Sequence, residues 1–118
     1  MERQKSGILS YLKVLQTKYQ NKIMRVTLFG SAAKGESDLE SDIDILVVVR
    51  DEYDGLCDEI SMAAFDSILE HDVIISPIVM ESKTYEWHKK YKDPLYNSIE
   101  RDGIEIWMKI PESLLKSV

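Results

Sequence analysis

A glycine–serine pair and an aspartate pair are the residues of this chain whose types and spacing could do chemistry. Gly30 and Ser31 are followed, after ten residues, by Asp42 and Asp44. Glycine lets a phosphate approach its backbone N–H closely, and a hydroxyl with free N–H groups at a helix start favours an anion. Two carboxylates on one side of a strand, about 6.6 Å apart along its axis, repel each other unless a cation lies between them. The four residues therefore predict a site for a metal-bound nucleoside triphosphate.

The metal expected at such a site is a small, hard cation. Carboxylate oxygens suit Mg²⁺ or Mn²⁺, which commonly bridge a protein to the phosphates of a nucleotide. Two such ions, ~3.5–4 Å apart, can activate an attacking oxygen and hold a leaving group, and a third carboxylate from another strand normally completes the site. Phosphoryl-type transfer depends mostly on positioning and charge neutralisation, so this set favours an enzyme of that class.

The pattern of apolar residues predicts the elements that position these side chains. The nearly continuous apolar run after Asp44 predicts a strand that is buried on both faces. Pro77 places the next strand at an edge or at a bulge, and Asp93 with the proline after it predicts a helix start. The predicted helices are 4–20, 53–70, 82–90 and 94–102, with a short one beginning at 31–34, and the predicted strands are 23–29, 42–49, 73–80 and 104–109. The fold class is therefore α/β, with a small mixed sheet flanked by helices.

Length, charge and cysteine content exclude several classes of protein. The 118 residues fit one domain over 1–118, with its core at about 23–109. The net charge of −6 argues against a nucleic-acid-binding face, which needs basic residues. No apolar run approaches the ~20 residues of a membrane span. Cys57 is the single cysteine, so no internal disulfide forms and a cytoplasmic setting is expected.

Two segments around the aspartates resemble a known family. LFGSAAKGE at 28–36 and SDIDILV at 41–47 look like the minimal nucleotidyltransferases of the DNA polymerase β-like superfamily. The resemblance is strongest over 24–49, and the order of helices and strands extends it over most of the chain. It implies a mixed sheet flanked by helices, two Mg²⁺ ions (or Mn²⁺), ATP or another NTP as donor, and transfer of an NMP to an acceptor hydroxyl.

The resemblance also implies roles for individual residues, with two departures from the family pattern. The metal ligands and catalytic residues are Asp42, Asp44 and Asp72, and the triphosphate-binding residues are Gly30, Ser31 and Lys34. The family often has arginines where this chain has Ala32 and Lys34, so Lys34 either grips the phosphate alone or is a solvated surface lysine. Asp72 opens its strand and is the candidate third carboxylate. Measured back from the following helix, however, the expected position falls nearer Ser76, which shares a face with Asp72 by strand parity.

Three functions remain open at this level. The first is a Mg²⁺-dependent nucleotidyltransferase that moves AMP from ATP to another macromolecule, because the chain is too short to hold its own acceptor domain. Minimal members of the family resemble antitoxins that pair with a HEPN-domain toxin, which makes such a protein the expected partner. The second is a non-catalytic protein that binds a nucleotide or a partner. The third is an antibiotic-modifying nucleotidyltransferase, with its pocket at the interface of a homo-oligomer.

Overall fold

The computed structural model describes residues 2–30, 33, 42–50 and 55–107. Helices and strands follow one another along these ranges in the order that the sequence predicts. The elements are α1 (Glu2–Tyr19), β1 (Ile23–Phe29), β2 (Ile43–Val49), α2 (Leu56–Met62), α3 (Ala64–His71), β3 (Ile75–Glu81), α4 (Ser82–Tyr91), α5 (Pro94–Asp102) and β4 (Ile104–Glu105).

The strands form one mixed sheet, in the order β3-β2-β1-β4. β1 runs antiparallel to β2 and to β4, whereas β2 and β3 are parallel. Helices cover both faces of this sheet, with α1, α2 and α3 on one face and α4 and α5 on the other. The predicted α/β fold with a small mixed sheet is thereby confirmed. Pro77 lies on β3, an edge strand, where the missing N–H costs no ladder hydrogen bond.

Alternation along β2 divides the core between the two faces. Ile45 and Val47 belong to the cluster under α1, α2 and α3, and Leu46 and Val48 belong to the cluster under α4 and α5. All four side chains are buried, as the apolar run predicts for a strand covered on both faces. Asp44 lies two residues before Leu46, so its side chain leaves the sheet on the side of α4 and α5.

Two side-chain hydrogen bonds connect α1 to α2 and α3, the other helices on its face of the sheet. Tyr11 is fully buried, and its hydroxyl donates a hydrogen bond to the carbonyl oxygen of Ile60 at 2.8 Å. The hydroxyls of Ser10 and Ser67 lie 2.9 Å apart and share a hydrogen bond. These contacts link α1 to α2 and α3. No helix in the described part of the chain has the length and apolar character needed to cross a membrane.

Two elements differ from their predicted extents by more than two residues at an end, and β3 begins two residues later than predicted, at Ile75. The helix predicted over 53–70 is two helices, α2 and α3, which meet at Ala63, the C-cap of α2 and the N-cap of α3. The break is hidden in the sequence because Ile60 and Ala64, on either side of it, are both buried in one core. The strand predicted over 104–109 is reduced to β4, although Ile106 still donates its N–H to the carbonyl oxygen of Val26 at 2.9 Å. Residues 108 and 109 lie outside the described ranges.

Candidate functional site

The two aspartates of the motif lie together where β2 begins. Asp42 is exposed and immediately precedes the strand, and Asp44 is the second strand residue and is half-buried. Two residues apart on an extended chain, their side chains point to the same side. Burial, and next the carboxylate of Asp42, raise the pKa of Asp44 above its usual value. The predicted pair is therefore partly desolvated and mutually repulsive, which is the environment that a cation relieves.

Gly30 lies directly beside this pair at the end of β1. The preceding residue, Phe29, is the cross-strand partner of Asp44, and the backbone of Gly30 is left-handed, with φ +75°. A Cβ atom at this position would collide with Oδ2 of Asp44. Glycine is thus required twice, once for the backbone conformation and once for the space that the carboxylate occupies.

Ser76 approaches the aspartates from the neighbouring strand. It is paired with Asp44 in the parallel register of β2 and β3, so the two side chains emerge next to each other, with their strands ~4.8 Å apart. Its hydroxyl donates a hydrogen bond to Oδ2 of Asp42 at 3.0 Å. The distance from the following helix indicated this position in the sequence. It did not indicate the contact, because the register between two parallel strands cannot be read from either strand alone.

Asp72 lies apart from the pair. It caps the C-terminus of α3 in the left-handed conformation, with φ 52°, three residues before β3 begins. Its side chain is 90% exposed, and its Oδ2 lies 3.3 Å from Nη1 of Arg3. Among the residues that the structure describes, no three His, Cys, Asp or Glu side chains are grouped as metal ligands would be. The structure therefore does not bring Asp72 to Asp42 and Asp44, and its role as third ligand stays a prediction.

The remaining two candidates, Ser31 and Lys34, fall outside the described residues. Of the short helix predicted to begin at 31–34, the structure describes Ala33, and this residue is helical. The contacts of Ser31 and Lys34 with a triphosphate therefore stay predictions. The described part of the motif, Gly30, Asp42 and Asp44, lies at one end of the central strands, where β1 ends and β2 begins. We call this place the sheet edge.

The chemistry of this edge fits a hard divalent cation. Asp42 and Asp44 supply carboxylate oxygens, the donors that Mg²⁺ and Mn²⁺ prefer. The raised pKa of Asp44 has the neighbouring carboxylate as one of its causes, and a cation between the two groups would reverse that effect. Gly30 adds a backbone without a side chain in the same small space, where a phosphate oxygen can approach the chain.

Known proteins match this chain over most of its length. Residues 8–114 match the family model described as a nucleotidyltransferase domain. Two proteins of Methanocaldococcus jannaschii, each provisionally named a protein adenylyltransferase, are similar in sequence. One is 33% identical over 101 residues, which cover 84% of this chain and 94% of that protein. The other is 29% identical over 100 residues, which cover 85% of this chain and 94% of that protein.

Two solved structures share the fold. A crystal structure of a toxin–antitoxin with AMP-PNP matches with a TM-score of 0.56 and 20% identity, covering 92% of this chain and 77% of that chain. A crystal structure of the toxin–antitoxin MntA-HpeT matches with a TM-score of 0.54 and 20% identity, covering 88% and 74%. The family match contains Gly30, Asp42 and Asp44, which are the residues that meet at the sheet edge. With motif, fold and family model in agreement, the chain belongs to the nucleotidyltransferase domain family.

Proposed function

We propose that this protein is a Mg²⁺-dependent adenylyltransferase that moves AMP from ATP to a hydroxyl group of a partner protein. The observation that carries the proposal is the meeting of Asp42 and Asp44 beside the left-handed Gly30. Relatives that are provisionally named protein adenylyltransferases support AMP and a protein acceptor, because this chain spans 94% of their length.

The proposed reaction exchanges the α–β phosphoanhydride bond of ATP for a phosphodiester bond to the acceptor. A new bond forms between the acceptor oxygen and the α-phosphorus of ATP, the bond from that phosphorus to the oxygen bridging it to the β-phosphorus breaks, and pyrophosphate leaves. The acceptor hydroxyl loses its proton to water or to a basic group. Bound Mg²⁺ or Mn²⁺ would supply charge neutralisation and activation of the attacking oxygen.

In this scheme the protein itself mainly positions and neutralises. Asp42 and Asp44 hold the cation, and Gly30 leaves room for the triphosphate against the backbone. Ser31 and Lys34 are proposed to contact the phosphates, as the family resemblance implies. Positioning of this kind accounts for much of the rate in phosphoryl-type transfer.

The proposed acceptor is a toxin, with this protein as its antitoxin. The shared fold with two toxin–antitoxin structures, one with AMP-PNP, supports this role. A HEPN-domain protein is the partner that the family resemblance implies. The alternative is a protein that binds a nucleotide without turnover. Ser76 favours this alternative. Its hydroxyl lies beside Asp44, near the position expected for the third carboxylate.

Purification of the native complex tests the proposal. The protein is isolated with its partner, incubated with ATP and Mg²⁺, and the intact mass of each chain is measured. A partner that gains the mass of one AMP, in wild type and not in Asp44→Asn, supports transfer. A partner that stays bound and unmodified in both would support the binding protein instead.

A further inference from the structure

The carboxylate of Asp42 is connected to the neighbouring strand by a hydrogen bond from Ser76. Asp42 precedes the first residue of β2 and is exposed, whereas Asp44 is held within the strand and is half-buried. The carboxylate of Asp42 accepts a hydrogen bond at Oδ2 from the hydroxyl of Ser76, at 3.0 Å. Ser76 is itself fixed by the ladder of β3, opposite Asp44. The rigid strand therefore orients the exposed carboxylate through one hydrogen bond.

A hydroxyl at this position differs from a carboxylate in its charge. The hydroxyl donates a hydrogen bond to the carboxylate of Asp42 and adds no negative charge. A third carboxylate opposite Asp44 would face two like charges whenever the cation is absent. Serine thus orders the aspartate pair without increasing its repulsion.

We infer that Ser76 is a positioning residue that holds the carboxylate of Asp42 in the orientation needed to bind a divalent cation. The inference rests on the proposed function, since it assumes that Asp42 and Asp44 are metal ligands. It assigns Ser76 a role through Asp42 and no contact with the reacting atoms. Groups that hydrogen-bond to metal ligands typically change metal affinity about 10- to 100-fold when they are removed.

The test is a titration of the purified protein with Mn²⁺ alone, in which the free ion is measured by electron paramagnetic resonance. Ser76→Ala should weaken Mn²⁺ binding by about tenfold, the lower end of that range, because Asp42 is exposed. Ser76→Thr keeps the hydroxyl on a residue that suits a strand and should restore wild-type affinity. Ser61→Ala, the same change in α2, is the matched control and should leave the affinity unchanged.

One further variant, Asp42→Asn, separates this inference from the proposed function. Asp42→Asn should lose Mn²⁺ binding more severely than Ser76→Ala does. If Asp42→Asn loses binding while Ser76→Ala matches wild type, the role of Ser76 is wrong and the proposed metal site stands. If Asp42→Asn binds Mn²⁺ normally, both are overturned. Thermal melting of every variant without metal checks folding, and loss of affinity in a Ser76→Ala protein with a wild-type melting temperature supports positioning. A Ser76→Thr protein that binds as weakly as Ser76→Ala would contradict it.

Discussion

At the scale of single residues, the site depends on Gly30, because a residue without a side chain leaves room there for the carboxylate of Asp44. Gly30 has a left-handed backbone, with φ +75°, and a Cβ there would meet the carboxylate of Asp44. Gly55 is also left-handed, with φ +92°, yet a Cβ there would meet no atom of the described residues within 4 Å. The two glycines share the conformation and differ in what surrounds them, so they form a natural pair for mutation.

Gly30→Ala and Gly55→Ala should therefore separate backbone strain from damage to the site. Both variants lose stability by about 1–2 kcal/mol, because an L-residue is strained in the left-handed region. Only Gly30→Ala should also lose Mn²⁺ and ATP binding, since its methyl group displaces Asp44. Urea unfolding measures the first effect and calorimetric titration the second. Unchanged ATP and Mn²⁺ binding in Gly30→Ala would contradict the assigned site.

The predicted role of Asp72 as third metal ligand can be tested by substitution. As third ligand it must exchange its contact with Arg3 for the metal. Asp72→Asn should then weaken Mn²⁺ binding by roughly tenfold or more, and Arg3→Gln should strengthen it by releasing the carboxylate. Asp44→Asn serves as the reference for a lost ligand. Wild-type affinity in both Asp72→Asn and Arg3→Gln would show that Asp72 caps α3 and does not bind the metal.

At the scale of elements, the layer of helices behind β2 is joined by a buried hydroxyl. Tyr11 of α1 is fully buried and donates to the carbonyl oxygen of Ile60 in α2. Removing this donor leaves the oxygen without that bond in a region closed to water. Such a loss costs more than the bond alone would suggest, because the desolvation of the carbonyl is no longer compensated.

Tyr11→Phe should accordingly lower the free energy of unfolding by about 1–2 kcal/mol. Tyr91→Phe is the control, since Tyr91 is 59% exposed, and it should change stability little. Urea denaturation of both variants measures the difference. Equal stability of Tyr11→Phe and wild type would contradict the structural role given to this hydroxyl.

The same tyrosine makes stability depend on alkaline pH. Burial, with Tyr19 as a second cause, raises the pKa of Tyr11 well above its ordinary value near 10. The folded protein therefore keeps the phenol protonated where the unfolded chain begins to lose its proton. The stabilisation is complete below the unfolded pKa, near 10, and falls as the pH rises above it. Between about pH 9 and 11, on either side of the unfolded pKa of about 10, the melting temperature of wild type should fall more steeply with pH than that of Tyr11→Phe. Parallel slopes would contradict this.

At the scale of the whole molecule, local patterns were predictable and contacts between distant segments were not. The extent of β1 follows from a run rich in β-branched and large apolar residues that ends at Gly30, and the double burial of β2 follows from a nearly continuous apolar run. The Gly30–Asp44 contact follows from two strands adjacent in the chain. The contact of Ser76 with Asp42 depends on the register of β3 against β2. The segment between β2 and β3 contains α2 and α3, and their break at Ala63 does not show in the apolar spacing. Asp72 was assigned to a strand because the apolar residues Val73 and Ile74 continue directly into β3, although Asp72 caps a helix.

Charge acts on the molecule as a whole. The chain carries a net charge of −6, and its segment 51–82 contains no lysine or arginine. A net negative charge opposes the approach of a triphosphate, and a cation that accompanies the triphosphate reduces this repulsion. The metal would therefore contribute to nucleotide binding as well as to chemistry, and the aspartate pair is the feature through which both effects act.

Label transfer from ATP tests the central claim most directly. The complex with its partner is incubated with Mg²⁺ and ATP labelled with ³²P at either the α or the γ phosphate, and the proteins are separated on a denaturing gel. Our account predicts that the partner is labelled from α-labelled ATP and not from γ-labelled ATP. It also predicts that EDTA or Asp44→Asn abolishes the label. Labelling from the γ phosphate, or equal labelling by wild type and Asp44→Asn, would contradict it.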